Sequence, residues 1–74
     1  MTKRAHYLKE WREIRGLSLR EVEDIIGSDV LSYSSISRIE SGIQPYTEQT
    51  LTEFSKAYGV PPWALLSINP LGMK

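Results

Sequence analysis

The residues best suited to molecular recognition lie in one short segment, 32–42, which reads Ser-Tyr-Ser-Ser-Ile-Ser-Arg-Ile-Glu-Ser-Gly. Its hydroxyl and guanidinium groups recognise partners through hydrogen bonds. In a helix, Ile36 and Ile39 fall on one face and polar side chains are left on the other. The exposed polar side chains are predicted to be Tyr33, Ser34, Ser37 and Arg38. The pattern is typical of a helix that lies in a DNA groove and bonds base edges, although many solvated helices look similar.

The ends of this helix are also marked in the sequence. Ser32 is predicted to cap the N-terminus, because its hydroxyl can accept a hydrogen bond from a backbone amide that lacks a partner in the first turn. Leu31 and Ile36 can pack together across that turn, and Gly42 supplies the left-handed residue that ends the helix. The sequence therefore predicts a single exposed helix over residues 32–41.

Two helices are predicted before this segment. The first covers about residues 3–15 and ends at Gly16. Its inward stripe is predicted to consist of Ala5, Leu8, Trp11 and Ile14. The second begins after Ser18 and runs to about Ile26, because Ser18 and Glu21 have the capping-box pattern in which each side chain bonds the other residue's backbone amide. Its core face is predicted to consist of Val22, Ile25 and Ile26, and the glycine that follows closes it.

Two more helices are predicted after the segment. Pro45 stops helical structure and Thr47 restarts it. The inward stripe of this fourth helix is Leu51, Phe54, Ala57 and Tyr58. The Pro61-Pro62 pair fits only the first turn of a helix, which predicts a short fifth helix that adds Trp63, Leu65 and Leu66 to the core. No segment alternates apolar and polar residues as a strand does, so the predicted fold is all-α, a compact bundle of five short helices.

Length and composition limit the kinds of protein that the chain can be. Its 74 residues predict one domain, with a core of about residues 3–67 and a tail at 68–74. With 41% hydrophobic and 24% charged residues, the composition is that of a soluble globular domain. No apolar run approaches the roughly 20 residues of a membrane span and no apolar signal segment follows the start, so a cytoplasmic location is expected.

Charge and cysteine content limit the chemistry. The formal net charge is zero and the pI is near 6.6, which argues against binding of nucleic acid through bulk charge. Any such contact must come from locally placed Lys and Arg. The chain has no cysteine, so disulfides and thiolate metal sites are excluded. His6 stands without other ligands at metal-binding spacing, and no metal or cofactor is expected.

A series of landmarks extends through most of the chain. They are Arg12, Gly16-Leu17-Ser18, Gly27, Ile36-Ser37-Arg38-Ile39-Glu40, Gly42, Leu51, Ala57-Tyr58-Gly59-Val60 and Leu65-Leu66. From about residue 8 to residue 66, the chain resembles the helix-turn-helix family of lambda-type phage repressors, Cro proteins and XRE-like bacterial regulators. The resemblance implies a lambda repressor-like DNA-binding domain of five helices, whose third helix lies in the major groove.

The resemblance also implies a role for each matching position. Base contacts fall on Tyr33, Ser34, Ser37 and Arg38. Phosphate contacts fall on Ser18, Arg20, Ser32, Ser41, Gln44, Tyr46 and Thr47. Arg12 and Glu40 match a structural ion pair that joins the first helix to the end of the third. The alternatives for Arg38 are a phosphate contact or a solvated side chain, and the alternative for Tyr33 is a ring folded against Leu31 or Val30.

Three features depart from the family pattern. Leu19 stands where members usually carry a Gln that holds a phosphate, so Arg20 or the amides capped by Ser18 must substitute for it. Glu23 replaces a small Ala. The turn after Gly27 is three residues longer than the common form, with 28–30 as the apparent insert, and this change is expected to shift how the third helix is presented.

The sequence as a whole predicts a sequence-specific double-stranded DNA-binding transcriptional regulator, with repression as the expected mode and no enzymatic activity. A homodimer is expected, formed either in solution or only on DNA. The surface that pairs is predicted to be Trp63, Leu66, Ile68 and Leu71, unless this tail folds back on its own domain. Lys3 and Arg4 are either a DNA-contacting arm or a solvated terminus.

A rival interpretation is a helical protein-interaction module, either an adaptor or an antitoxin-like partner, with weak or no DNA binding. The neutral net charge and Leu19 favour this alternative. So does the acidic run of Glu21, Glu23 and Asp24.

Overall fold

Five helices form all of the regular structure in the part of the chain that the computed structural model describes, residues 6–72. In chain order they are α1 (Leu8–Ile14), α2 (Leu19–Ile26), α3 (Tyr33–Ser41), α4 (Glu48–Tyr58) and α5 (Pro62–Ser67). The predicted all-α fold is confirmed, since this range contains no strand. None of these helices is both long enough and apolar enough to span a membrane.

Side-chain caps set the starts of α2, α3 and α4. At α2, the Ser18 hydroxyl accepts a hydrogen bond from Glu21 N–H at 3.1 Å, and the Glu21 carboxylate accepts one from Ser18 N–H at 2.7 Å. At α3, the Ser32 hydroxyl accepts from Ser35 N–H at 3.3 Å. Thr47 caps α4 in the same way. All three predicted start positions are confirmed, because capping depends on residues that are close in sequence.

Gly42 ends α3 as predicted. Its φ of 83° lies in the left-handed region that favours glycine. The next two backbone amides, of Ile43 and Gln44, both donate to the Arg38 carbonyl, at 3.0 and 3.1 Å. This geometry holds the start of the loop to α4 against the C-terminal end of α3.

All five helices contribute to one apolar core. The fully buried side chains include Ile36 and Ile39, as predicted for α3. The core cluster consists of Leu8, Val22, Leu31, Ile36, Ile39, Leu51, Phe54, Tyr58 and Leu65. Leu19 also packs against this cluster, so the residue that departs from the family pattern at the start of α2 is part of the core.

Helix α1 begins at Leu8, and the prediction that helical structure covers His6 and Tyr7 is wrong. Both residues are non-helical, and each bonds a distant part of the chain. Tyr7 N–H donates to the Leu65 carbonyl at 2.7 Å. The buried His6 ring accepts from Leu8 N–H at 3.4 Å, and its Nε2 lies 2.9 Å from the Ile39 carbonyl. Lys3, Arg4 and Ala5 lie outside the described residues.

Two isoleucines predicted to face the core are exposed. Ile14 is 45% exposed because it lies six residues after Leu8, which turns it about 120° away from that side of the helix. Ile25 is 54% exposed. Leu19 and Ile26 lie about 40–60° to one side of Val22 while Ile25 lies about 60° to the other, and the core is on the Leu19 side.

Trp63 is also not a core residue, contrary to the prediction, since 62% of it is exposed. Helix α5 turns Ala64 and Leu65 inward and leaves Trp63 outside. The chain after α5 lies against its own domain, where the Trp11 indole N–H bonds the Ile68 carbonyl at 3.0 Å. The side chains of Ile68 and Leu71 remain exposed.

One ion pair joins α1 to the C-terminal end of α3. Arg12 Nε donates to Glu40 Oε2 at 2.8 Å, and its Nη2 donates to Oε1 at 3.2 Å. Its Nη1 donates to the Leu17 carbonyl at 2.9 Å. The hydrogen bond to Glu40 is the main cause that raises the pKa of Arg12 above its ordinary value. The guanidinium therefore stays charged and ties together α1, the start of α2 and α3.

Removing Arg12 is expected to destabilise the domain strongly, because it leaves the Glu40 carboxylate buried without its partner. The expected cost of Arg12→Ala is about 3–5 kcal/mol in the free energy of unfolding, measured by chemical denaturation. Lys9→Ala, which removes an exposed cation from the same helix, serves as the control and is expected to change stability little. The double variant Arg12→Met/Glu40→Leu is expected to recover most of the loss, and equal stability of Arg12→Ala and Lys9→Ala would contradict the prediction.

The Tyr58 hydroxyl is buried and has no hydrogen-bond partner among the described residues. Burial raises the pKa of Tyr58 above the ordinary tyrosine value of 10.0, and the nearby Glu40 charge raises it further. The neutral phenol is therefore favoured in the folded protein. As the pH rises above about 10, the unfolded chain loses this proton first, so the free energy of unfolding falls.

Tyr58→Phe is expected to stabilise the domain by about 1 kcal/mol at pH 7, because it removes an unpaired buried hydroxyl. The variant is also expected to lose less stability than the wild type above about pH 10. Denaturation at pH 7 and at high pH measures both effects, with Tyr33→Phe as a control on an exposed ring. A variant as stable as the wild type at both pH values would show that the buried hydroxyl has no energetic effect.

Candidate nucleic-acid interface

The outer face of α3 presents the four side chains predicted for base contacts. Tyr33 and Arg38 are exposed, and Ser34 and Ser37 are partly exposed. Burial of the two isoleucines beneath them fixes which face points outward. The four side chains therefore lie together on an outer, solvent-accessible face of α3.

A compact turn connects α2 to α3 despite its additional residues. The carbonyl of Gly27 accepts hydrogen bonds from Val30 N–H at 2.9 Å and from Leu31 N–H at 3.0 Å. Gly27 has φ of 107°, and a Cβ at this position would lie 2.9 Å from Asp29 Oδ1, so glycine is required here. Leu31 is buried and attaches the end of the turn to the core.

Glu23 connects the two helices directly. Its Oε2 accepts a hydrogen bond from Tyr33 N–H at 3.1 Å. Tyr33 is the first residue of α3, where amides have no partner inside the helix and a negative charge is favourable. Sequence reasoning did not find this contact. The only signal was the departure itself, a carboxylate where a small residue was expected.

The Tyr33 ring lies against Arg20. The guanidinium carbon of Arg20 is 4.1 Å from the centroid of the ring. Arg20 and Glu23 are three residues apart in α2, so they project from neighbouring positions and hold the ring and the amide of the same residue. The structure thus brings together Tyr33 and Arg20, which were predicted to contact bases and phosphates separately.

Arg38 bonds to neighbouring polar groups in the free protein. Its Nε donates to Gln44 Oε1 at 3.2 Å, and its Nη2 lies 3.4 Å from the Ser35 hydroxyl. Gln44, predicted to contact phosphate, therefore lies beside the residue predicted to contact bases. Both bonds are exposed and have neutral acceptors, so a DNA partner could replace them at modest cost.

The remaining predicted phosphate contacts lie at helix ends and already have internal partners. The hydroxyls of Ser18, Ser32 and Thr47 accept the capping hydrogen bonds of α2, α3 and α4. The Ser41 hydroxyl donates to the Ser37 carbonyl at 2.8 Å. The ring of Tyr46 packs edge-on against His6, with 5.7 Å between centroids. A hydroxyl that accepts one bond can still donate another, so Ser18 keeps a donor for a phosphate. The Thr47 hydroxyl already donates to Thr50 Oγ1 at 3.3 Å and would have to exchange that bond for a phosphate.

The chemistry of this face is that of hydrogen bonding. Within residues 6–72, no group of three or more His, Asp or Glu could hold a metal ion. Glu21 and Glu23 both accept bonds from backbone amides at helix starts. His6, which the sequence gave no reason to place in the core, holds the start of α1 against α3 and so helps to position the face.

Residues 8–62 match the model of a helix-turn-helix family. The match covers more than half of the 74 residues and includes α1 to α4 and the start of α5. No curated protein and no solved structure shows a significant match to the chain.

Removing the Glu23 carboxylate is expected to loosen the start of α3. Glu23→Ala should increase hydrogen exchange of the Tyr33 amide and lower stability by about 0.3–1 kcal/mol, the usual effect of a charge at a helix N-terminus. Asp24→Ala is the matched control, since Asp24 is an exposed neighbouring carboxylate. Equal exchange rates of the Tyr33 amide in the two variants would contradict the assigned role of Glu23.

Proposed function

Because the chain belongs to the lambda repressor-like helix-turn-helix family, whose members are DNA-binding transcription regulators, we propose that it binds specific double-stranded DNA sites and represses transcription. The observation that carries the proposal is the outer face of α3, which is polar and exposed while Ile36 and Ile39 are buried beneath it. In this proposal α3 enters the major groove and α2 crosses the DNA backbone beside it. The chain itself catalyses no reaction.

Base recognition is assigned to Tyr33, Ser34, Ser37 and Arg38. On binding, the Arg38 guanidinium exchanges the Gln44 and Ser35 oxygens for O6 and N7 of a guanine, which accept two parallel hydrogen bonds. Arg38 thus makes two hydrogen bonds before and after the exchange, and Gln44 is then free to donate to a phosphate. The serine hydroxyls adapt to either donors or acceptors on the base edges.

Phosphate binding is assigned to the capped helix ends and to the loop after α3. The groups involved are the side chains of Ser18, Arg20, Ser32, Ser41, Gln44, Tyr46 and Thr47. Backbone amides at helix N-termini add favourable partial charge at these positions. Because the net charge is zero, affinity depends on these few contacts and not on a broad positive field.

The proposal includes a homodimer. A single module of this size buries about 600–1,000 Å² on DNA, which limits its specificity, so two copies would read half-sites about 34 Å apart. The exposed apolar residues at the end of the described chain support a pairing surface. They are Trp63, Ile68 and Leu71, with exposures of 62%, 41% and 49%.

A protein-interaction module is the second candidate, and one observation favours it. The Glu23 carboxylate lies at the N-terminal end of α3, where it opposes the approach of a phosphate. In this case the same exposed face of α3 would bind a protein.

Binding to a random-sequence duplex separates the two candidates. A DNA-binding protein is expected to bind at low salt and to weaken as salt rises, with a slope in log K against log salt of about 0.9 for each phosphate contacted. Arg38→Ala is expected to weaken binding to a selected site about tenfold or more and to relax one base preference. Lys56→Ala, which removes the same charge from α4, is the control.

Absence of binding to any duplex at low salt would leave the interaction module as the function. Retention of both affinity and base preference by Arg38→Ala would remove this residue from the proposed reading face.

A further inference from the structure

Among the arginines in residues 6–72, Arg20 differs in that its guanidinium donates no hydrogen bond to another described residue. Arg12 bonds Glu40, Arg15 Nε donates to the Tyr58 carbonyl at 2.8 Å, and Arg38 bonds Gln44. The Arg20 guanidinium makes no hydrogen bond or ion pair with any described residue, and lies instead over the Tyr33 ring. All of its N–H donors are therefore available to a partner.

Contact with the ring orders the guanidinium without using its donors. The five N–H groups of arginine point outward in the plane of the guanidinium, and here its central carbon lies over the Tyr33 ring. Arg20 is thus held by Tyr33 at 4.1 Å while its donors stay free. A planar guanidinium that is oriented in advance and unbonded suits bidentate recognition of two acceptors.

Tyr33 is itself held in place. Its amide bonds the Glu23 carboxylate at 3.1 Å, and it begins the helix whose next turn buries Ile36. The ring therefore has a defined position relative to both α2 and α3. Through the ring, the position of Arg20 is tied to the base-reading helix as well as to its own helix.

The packing of Leu19 explains why Arg20 is available. Leu19, the first residue of α2, packs against the core. The next residue lies about 100° further around the helix, on the outer side, where Arg20 is exposed. The start of α2 thus places an arginine beside the first residue of α3.

These contacts deepen the proposed DNA-binding function and rest on it. We propose that Arg20 and Tyr33 form one base-reading unit, in which Arg20 donates two hydrogen bonds to O6 and N7 of a guanine and the Tyr33 ring fixes the plane of the guanidinium. Arg20 is then a base reader, and this role replaces the phosphate contact that was predicted from the sequence and assigned to Arg20 above. It reads a different base pair from Arg38, which lies five residues after Tyr33 in α3.

The test is selection of binding sites from a randomised duplex library with the full chain and its variants, at one salt concentration. Arg20→Lys keeps the charge but loses the planar pair of donors. It is expected to lose the preference for one guanine in each half-site, a change of about tenfold in relative affinity. Tyr33→Leu is expected to weaken the same preference, whereas Tyr33→Phe keeps the ring and is expected to retain it.

A second measurement uses the selected duplex with 7-deazaguanine at that position, which removes the N7 acceptor. This probe is expected to weaken binding of the wild type but not of Arg20→Lys. Arg15→Lys is the matched control, because Arg15 also lies over a ring, that of Trp11, at 5.4 Å. It is expected to leave every base preference unchanged, and circular dichroism of each variant checks the fold.

Unchanged base preferences in Arg20→Lys would overturn the inference. So would a uniform loss of affinity across sequences in Arg20→Ala with a smaller salt slope, which is the behaviour of a phosphate contact. In both cases the wild type still binds duplex DNA, so the proposed function stands. Failure of the wild type to bind any duplex in the library would instead remove the proposed function, and this inference with it.

Discussion

The candidate interface depends on burial of Ile36 and Ile39. Helix α3 has nine residues, too few for a stable isolated helix in water, so its structure must come from packing. The two isoleucines are fully buried and provide that packing. Burial also fixes the rotation of the helix about its axis, and this rotation alone decides that Tyr33 and Arg38 face outward. The caps at Ser32 and Gly42 limit the length of α3 but do not orient it.

Acidic side chains act mainly as structural elements around this helix. Glu21 caps α2, Glu23 holds the first amide of α3, and Glu40 binds Arg12 near the last turn of α3. Each carboxylate accepts hydrogen bonds that the fold requires. Part of the negative charge that brings the net charge to zero therefore stabilises the fold, so the net charge alone does not describe the surface that meets a partner. Recognition by such a protein depends on the direction of a few donors, which a count of charges does not reveal.

Local features of the fold could be predicted from the sequence, because their physical causes are local. The capping box of Ser18 and Glu21 and the glycine at the end of α3 involve residues at most a few positions apart. Apolar stripes were less reliable. Val22 and Ile25 look equivalent in sequence, but only Val22 faces the side on which the other helices pack.

Contacts between distant residues could not be predicted from single residue types. His6 bonds the Ile39 carbonyl 33 residues away, and nothing in a lone histidine indicates a buried position. The position of Arg20 over the Tyr33 ring likewise depends on the path of the turn between α2 and α3. Arg12 and Glu40 are an exception, since the resemblance to a family predicts this pair, and the structure places the two groups 2.8 Å apart.

The three departures from the family pattern have one physical explanation. A longer turn between α2 and α3 leaves the start of α3 less constrained by chain connectivity. The Gly27 carbonyl limits this freedom by accepting hydrogen bonds from two backbone amides of the turn. The Glu23 carboxylate limits it further by accepting a hydrogen bond from the Tyr33 amide. Leu19, which stands where the family pattern has a Gln, packs against the core. The first turns of α2 thus contribute Leu19 to the core and Glu23 to the start of α3, and they leave Arg20 facing outward.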